Sequence, residues 1–211
     1  MRANVLRVGL TGGVASGKST VARLLGERGA AVTDADVLVE ELYRPRAAGT
    51  VAVAALFGAR SLDPAGAVDR NALGSLVLND AAARRRLEAA IHPLVRERIG
   101  AWLDALEAGD PAPEVAVVEA ALLVESGAYR DYHRVVVASA PLAVRRQRAL
   151  SAGWAIERFD QVAAAQVDDA AREAVADYVI RNDGDFAALA AAVGDLWPRL
   201  LAAATLEPRK S

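Results

Sequence analysis

The feature that most constrains this chain lies near its N-terminus. A short apolar run, Val5 to Thr11, opens directly into Gly12-Gly13-Val14-Ala15-Ser16-Gly17-Lys18-Ser19-Thr20, and Val21, Leu24 and Leu25 follow at helical spacing. The segment satisfies G-x-x-x-x-G-K-[ST] between a predicted strand and a predicted helix, the context that gives this pattern its meaning as a phosphate-binding loop. Glycines let the backbone curl tightly around phosphate oxygens with its N–H groups pointing inward. The helix that begins near Gly17 adds its positive N-terminal end. Gly12, Gly13, Val14, Ala15, Ser16 and Gly17 are therefore expected to line the phosphates of ATP. Lys18 is expected to reach the β and γ phosphates, the Ser19 hydroxyl to bind Mg²⁺, and Thr20 to serve the α phosphate. The plain alternative is a glycine-rich turn before an ordinary helix. Lysine occurs only at Lys18 and Lys210, which makes a chance lysine at this position harder to credit. The motif alone does not separate kinases, GTPases, ATPase motors and sulfotransferase-like enzymes.

Further β-branched runs at Ala31 to Thr33, Val115 to Val118, Val135 to Ala138 and Tyr178 to Ile180 are separated by long helical patterns. Near-continuous apolar strands with long crossovers predict an α/β three-layer fold, a five-stranded parallel sheet with helices on both faces. The first helix is expected over 17–28, with Gly29 as its stop. Residues 50–110 show no strong strand; Leu87, Ile91, Leu94, Val95, Ile99, Leu103 and Leu106 recur at helical spacing, with a kink or a new helix start expected at Pro93. The organisation predicted is one domain over 1–211, with a helical acceptor-binding insertion at about 50–110 and a helical lid at about 142–172. The tail from Phe186 to Ala204 is expected to form an amphipathic helix disturbed at Trp197-Pro198.

Composition narrows the chemistry. Of the 211 residues 54% are apolar and 25% charged, a globular rather than a disordered balance. The absence of cysteine removes disulfides, thiolate metal sites and cysteine nucleophiles. A formal net charge of -2 gives no basic field for nucleic acid or an anionic membrane. Trp102, Trp154 and Trp197 are scattered with no interleaved basic residues, so no nucleic-acid platform is expected. The N-terminal apolar run is too short for a signal peptide, and no stretch approaches ~20 consecutive apolar residues. A cytoplasmic protein with no membrane partner is the expectation; oligomeric state is left open.

Thr33-Asp34-Ala35-Asp36 ends the second predicted strand, where open α/β sheets bind ligands. Two carboxylates there can orient an acceptor hydroxyl, accept its proton or order Mg²⁺; equally, Asp34 or Asp36 can cap a helix carrying Val37, Leu38 and Leu42. Taken together, Gly9-Leu10-Thr11-Gly12-Gly13, Ser16 to Thr20 and Asp34-Ala35-Asp36 resemble the dephospho-CoA kinase family. Further resemblances follow in the family's order: Asp69-Arg70-Asn71-Ala72-Leu73 to D-R-x-x-L, Leu87-Glu88 with Ile91-His92-Pro93-Leu94-Val95 to L-E-x-x-x-H-P-L-V, and Leu122-Leu123-Val124-Glu125 to P-L-L-F/V-E. Ala176-Asp177-Tyr178-Val179-Ile180 with Asn182 and Gly184 resembles A-D-x-V-I-x-N-x-G.

The resemblance implies transfer of the γ-phosphoryl of ATP to the ribose 3′-hydroxyl of dephospho-CoA. It places Asp36 at the acceptor hydroxyl, and Asp34, Arg70, His92, Leu122 and Glu125 around the acceptor. It makes Arg148 the lid arginine that contacts the transferring group. Asn182 and Gly184 follow the last strand, where a loop can pack on adenine. The chain also departs from the pattern. Ala15 replaces a common glycine, Ala121 a proline, Arg145 a glutamine and Ala152 a second lid arginine; Arg145, Arg146 or Arg158 are candidates to replace the missing contact. Glu119 and Glu125 are both acids near a metal position that spacing does not assign, and His133 is read as structural. The alternatives are another small-metabolite or nucleoside monophosphate kinase, or a nucleotide-binding regulatory protein without turnover; a GTPase fits worse because no N-K-x-D motif is present.

Overall fold

The computed structural model describes residues 5–78 and 80–206. The chain packs as two compact units, one made of the residues up to Thr33 and from Leu106 onward, the other of Asp34–Ala105.

The first unit is built on a sheet of five strands: β1 (Leu6–Gly12), β2 (Ala31–Asp34), β3 (Val115–Glu119), β4 (Arg134–Ser139) and β5 (Tyr178–Arg181). Their spatial order is β2-β3-β1-β4-β5. The pairings β1–β3, β1–β4 and β4–β5 are all parallel, with Val8 opposite Val117 on one side and Arg134 on the other. β3, β1 and β4 are buried almost throughout, which is why they read as unbroken apolar runs rather than alternating ones. Each strand lies within about two residues of its expected range.

On one face of the sheet α1 (Lys18–Gly26) and the last helix pack over Leu6, Val8, Leu10, Val117, Val136 and Ala138. On the other, Leu123, Val135 and Val137 form a smaller cluster with Tyr129 and Tyr132. The order has its switch at β1: the chain leaves β1 for β2 on one side and later crosses to β4 on the other. Open sheets bind ligands at such a point, outside the carboxyl ends of the strands.

The second unit is helical: α2 (Ala35–Leu42), α3 (Ala48–Phe57), α4 (Arg70–Val77) and α5 (Ala81–Glu107), which crosses into the first unit at its end. Its core is Val53, Phe57, Val68, Leu73, Ala83 and Ile91. A lone antiparallel bridge, Leu62 to Val68, is its sheet-like contact among the described residues. The break expected at Pro93 does not become a new helix: α5 continues through it for 27 residues. Proline removes one N–H and crowds one carbonyl. Here the apolar stripe on both sides, Leu87 and Ile91 before it and Leu94 and Val95 after it, packs on one core and holds the helix together.

The stretch expected to form the lid resolves into α6 (Leu142–Ser151), α7 (Ile156–Ala165) and α8 (Asp169–Ala174). The tail is α9 (Phe186–Thr205), which continues through Pro198 rather than breaking there. Asp185 caps it by accepting from the Ala188 N–H at 2.8 Å. By length and composition α9 could cross a membrane. Asp195 and Arg199 interrupt its apolar run, and Leu189, Val193, Leu196, Leu200 and Ala203 pack it onto the sheet.

Candidate active site

The loop from Gly12 to Gly17 joins the carboxyl end of β1 to the N-terminus of α1. It closes on itself where the Ser16 N–H donates to the Gly13 carbonyl at 3.0 Å. Two residues adopt left-handed backbone, Ala15 with φ 58° and Gly17 with φ 91°. At Ala15, where the family resemblance leads one to expect glycine, the conformation costs roughly 1–2 kcal/mol. Gly17 has a second reason to lack a side chain. A Cβ there would lie 2.1 Å from Asn182 Nδ2, and that nitrogen donates to the Ser16 carbonyl at 2.8 Å. Asn182 is buried at the end of β5, so a side chain from the far edge of the sheet fixes the mouth of the loop.

Below the loop, Lys18 and Ser19 converge on one carboxylate. Lys18 Nζ lies 3.1 Å from Glu119 Oε1, and the Ser19 hydroxyl donates to the same oxygen at 2.6 Å. Glu119 is the last residue of β3, 5% exposed, beside Leu10 of β1 in the parallel register. A carboxylate buried to this degree is stable only when paired and hydrogen-bonded, and both partners come from the loop's own helix. The pairing decides what spacing left open: Glu119, not Glu125, shares the loop.

Glu125 faces elsewhere within the same unit. Its Oε1 accepts from the Val167 N–H at 3.0 Å and lies 3.6 Å from Arg172 Nη2. Arg172, 1% exposed, also donates to Asp169 Oδ1 at 2.8 Å and to the Val167 carbonyl at 2.9 Å. Asp169 Oδ2 holds Arg145 Nη2 at 2.7 Å, and Arg145 Nε donates to the Ala140 carbonyl at 3.0 Å. Gln166 Oε1 accepts from the Val14 N–H at 2.8 Å. The segment around α8 is thus tied to the loop by a buried polar network.

Its outer side is held too. Arg181 donates twice to Glu173, and Ser139 once at 2.6 Å. Burial works against the charged form of Glu173, but these hydrogen bonds and the Arg181 charge outweigh it and lower its pKa. Arg148 reaches Asn182, its Nη2 at 3.3 Å from Oδ1, while its Nη1 is buried without a hydrogen-bond partner among the described residues. Gly184 is exposed just ahead of the α9 cap. Thr20 stands half-buried in the first turn of α1, and Leu122 is 48% exposed after β3.

The acceptor-side candidates of the second unit are held more lightly. Asp34 caps α2, accepting from the Asp36 N–H at 2.8 Å; Asp36 itself is exposed in the first turn. Arg70 opens α4 next to its cap, Asp69, and pairs with Glu40 at 2.8 Å, both side chains well exposed. The Arg70 charge also offsets part of the burial that raises the pKa of Tyr43. His92 is half-buried on α5. From sequence Glu119 is one of two acids near a metal position, whereas Gln166, Asp169 and Arg172 carry no such signal. Glu119 ends a strand of four apolar residues, a signal that becomes legible once β3 is known to lie beside β1. The other three sit in an alanine- and arginine-rich stretch whose charges look like a solvated helix face.

A phosphate loop with a buried acid beneath it is common to many kinases, so the comparison with known proteins decides among them. The dephospho-CoA kinase family model matches residues 6–188. A dephospho-CoA kinase from Aromatoleum aromaticum is 42% identical over 208 residues, covering 97% of this chain and 98% of that protein. One from Frankia casuarinae is 40% identical over 196 residues, covering 92% and 83%. A crystal structure of a Thermus thermophilus protein superposes with a TM-score of 0.76 at 30% identity, covering 93% of this chain and 98% of that one. A shikimate kinase from Acinetobacter baumannii shares the fold, with a TM-score of 0.55 at 16% identity over 94% of each chain. A match spanning the loop, the helical unit and the last strand at this identity goes beyond a shared loop, and the chain belongs to the dephospho-CoA kinase family.

Proposed function

We propose that the loop and Glu119 hold ATP while Asp36 presents the acceptor, so that the chain carries out its family's reaction with these side chains. That reaction is ATP-dependent phosphorylation of dephospho-CoA to coenzyme A. Phosphoryl transfer through a loose transition state asks the protein for positioning and charge neutralisation rather than for a strong base. The N-terminus of α1, with the loop N–H groups other than those of Val14 and Ser16, which donate to Gln166 and Gly13, supplies fixed positive potential for the phosphates. Lys18 leaves Glu119 for the β and γ phosphates. Asp36 orients the ribose 3′-hydroxyl and takes up its proton as the new bond to the γ phosphorus forms and the bond from that phosphorus to the β,γ-bridging oxygen breaks, releasing ADP. Arg70 and His92 contact the remainder of the acceptor.

The observation that carries this reading is the shared contact of Lys18 and Ser19 on Glu119. It puts a cation, a hydroxyl and a carboxylate beneath one anion-binding loop. The donor set also suits Mg²⁺: a hydroxyl and a carboxylate are hard oxygen ligands, and this ion takes few protein ligands beside substrate phosphates and water. The described residues contain no cluster of three His, Cys, Asp or Glu that could hold a metal alone, which agrees with an ion brought by the nucleotide. Ser19 would bind it directly and Glu119 through its water; bound there, it neutralises charge on the phosphate oxygens. A segment tied to the loop by Gln166 supports exclusion of water from the transfer. The cytoplasm is the proposed location.

The test is ADP release with Mg²⁺ and ATP, with and without dephospho-CoA, followed by mass analysis of the product. Acceptor-dependent ADP release and a product heavier by one phosphate are expected. Folded, ATP-binding protein with no acceptor-dependent turnover would sink the reading and favour a nucleotide-binding protein without turnover.

A further inference from the structure

We propose that Arg145 is a catalytic residue that contacts the terminal phosphoryl group of ATP at the strand end of the loop. The proposal rests on the phosphate-loop reading above and adds to it the identity of the arginine.

Three arginines were candidates for a contact that Ala152 does not make, and the structure separates them. Arg146 pairs with Asp160 at 3.4 Å on the surface, with about half of each side chain exposed. Arg158 is exposed and stacks over the Trp154 ring at 4.1 Å. Arg145 alone of the three reaches the loop. A Cβ built on Gly13 would lie 2.4 Å from Arg145 Nη1 and 3.0 Å from its Cζ.

The guanidinium is anchored for a purpose beyond packing. At 5% exposure it is a buried charge, and such a charge costs several kilocalories unless its donors are met. Nε is met by the Ala140 carbonyl and Nη2 by Asp169. These two bonds use Nε and Nη2 and leave Nη1 as the edge against Gly13. A second guanidinium stands behind it: Arg172 Nη1 lies 3.5 Å from the same Gly13 position, and Arg172 Nε is buried with no partner. Asp169 divides its two oxygens between the two arginines. This aims a fixed fork at the loop with one edge left for a ligand, a geometry suited to phosphate oxygens.

Position within the loop gives the phosphate it meets. Thr20 is assigned to the α phosphate and Lys18 to the β and γ phosphates, so on this proposal the terminal phosphate lies between Lys18 and the guanidinium at Gly13, the strand end of the loop. A group at that end is present in ATP and absent from ADP.

That difference supplies the test. Mg-ATP and Mg-ADP are titrated calorimetrically into the wild type, Arg145→Ala and Arg145→Lys, and turnover is measured at saturating substrates. For Arg145→Ala, affinity for ATP is expected to fall about tenfold or more and affinity for ADP less than twofold, the size of one charge-assisted contact. Its kcat should fall about a hundredfold, and Arg145→Lys should regain part of both. Equal losses for ATP and ADP, or no loss for either, would overturn the proposal. If Arg145→Ala does not fold, Arg145→Gln, which keeps a donor for the Ala140 carbonyl, carries the same comparison; failure of all three variants to fold would overturn it in favour of a purely structural staple. Wild-type protein that binds ATP without acceptor-dependent turnover would refute the kinase reading instead, and the ATP–ADP contrast would still report on Arg145.

Discussion

The two units hold their candidate residues in opposite ways. In the first, Glu119, Arg145, Arg172 and Asn182 are all below a tenth exposed; Glu119 is held by Lys18 and Ser19, and the other three each donate to a backbone carbonyl. In the second, Asp36 is exposed, and Arg70 is paired with Glu40, itself as open to solvent. Nucleotide phosphates are the same in every turnover, so a rigid, prepaid arrangement of dipoles suits them. On the proposed reading, an acceptor that enters and leaves would be met by side chains on first helical turns, whose caps fix the backbone while the side chains stay in solvent. Burial thus marks the candidates of the first unit, and exposure those of the second.

The largest break in this contrast should come from Lys18→Met. It leaves Glu119 with Ser19 as its partner, and kcat/KM is expected to fall roughly a hundred- to a thousandfold, with the fold retained by circular dichroism. A decrease of less than tenfold would remove Lys18 from the phosphates. Asp36→Asn probes the exposed side. Turnover should drop on the order of a hundredfold while Tm stays put, because the side chain packs against little. A large loss of Tm would mean the residue serves the fold.

Asn182→Ala tests the rigid side through stability. It frees the Ser16 carbonyl and Arg148 at once, and denaturant unfolding should show a loss of about 1–3 kcal/mol. Ala15→Gly relieves the left-handed strain in the loop and should stabilise by roughly 1 kcal/mol. No gain would mean that the loop's contacts repay that strain locally.

The smallest effect concerns pH. His133 Nδ1 accepts from the Arg7 N–H at 3.1 Å. Burial first, then the Arg7 and Arg134 charges, lower its pKa below the ordinary 6.5. The folded protein therefore resists a proton that the unfolded chain takes up readily. This contribution to stability is complete above about pH 6.5 and is lost as pH falls through the lower folded value. Urea unfolding at pH 7 and pH 5.5 should show His133→Gln with a flatter pH dependence than the wild type; identical slopes would discard the histidine as its source.

The sheet was legible because its buried strands, such as Val115 to Val118 and Val135 to Ala138, carry a pattern set by burial on both faces. The loop was legible because its chemistry demands glycine, lysine and hydroxyl at fixed spacing. Pro93 misled because local backbone preference was weighed without the packing of Leu87, Ile91, Leu94 and Val95 on either side of it. The charged network escaped because adjacency of strands and the sidedness of α8 are tertiary facts. Arg172 in the string Asp-Asp-Ala-Ala-Arg-Glu looks no different from a surface arginine, yet it is among the most deeply buried residues of the protein. The resemblance to a family, carried by ordered short segments, supplied what periodicity could not.

The Glu119 contact has a consequence for ionic selectivity. Lys18 and Ser19 already rest on an internal carboxylate, so the loop's lysine is not a bare cation. A chloride or sulfate ion must displace that carboxylate with little in return, whereas on the proposed reading a nucleotide would bring several phosphates and its own metal to satisfy Glu119. The carboxylate therefore acts as a resident competitor that simple anions cannot match, and background salt should inhibit this enzyme far less than the exposed charge of a phosphate loop would suggest.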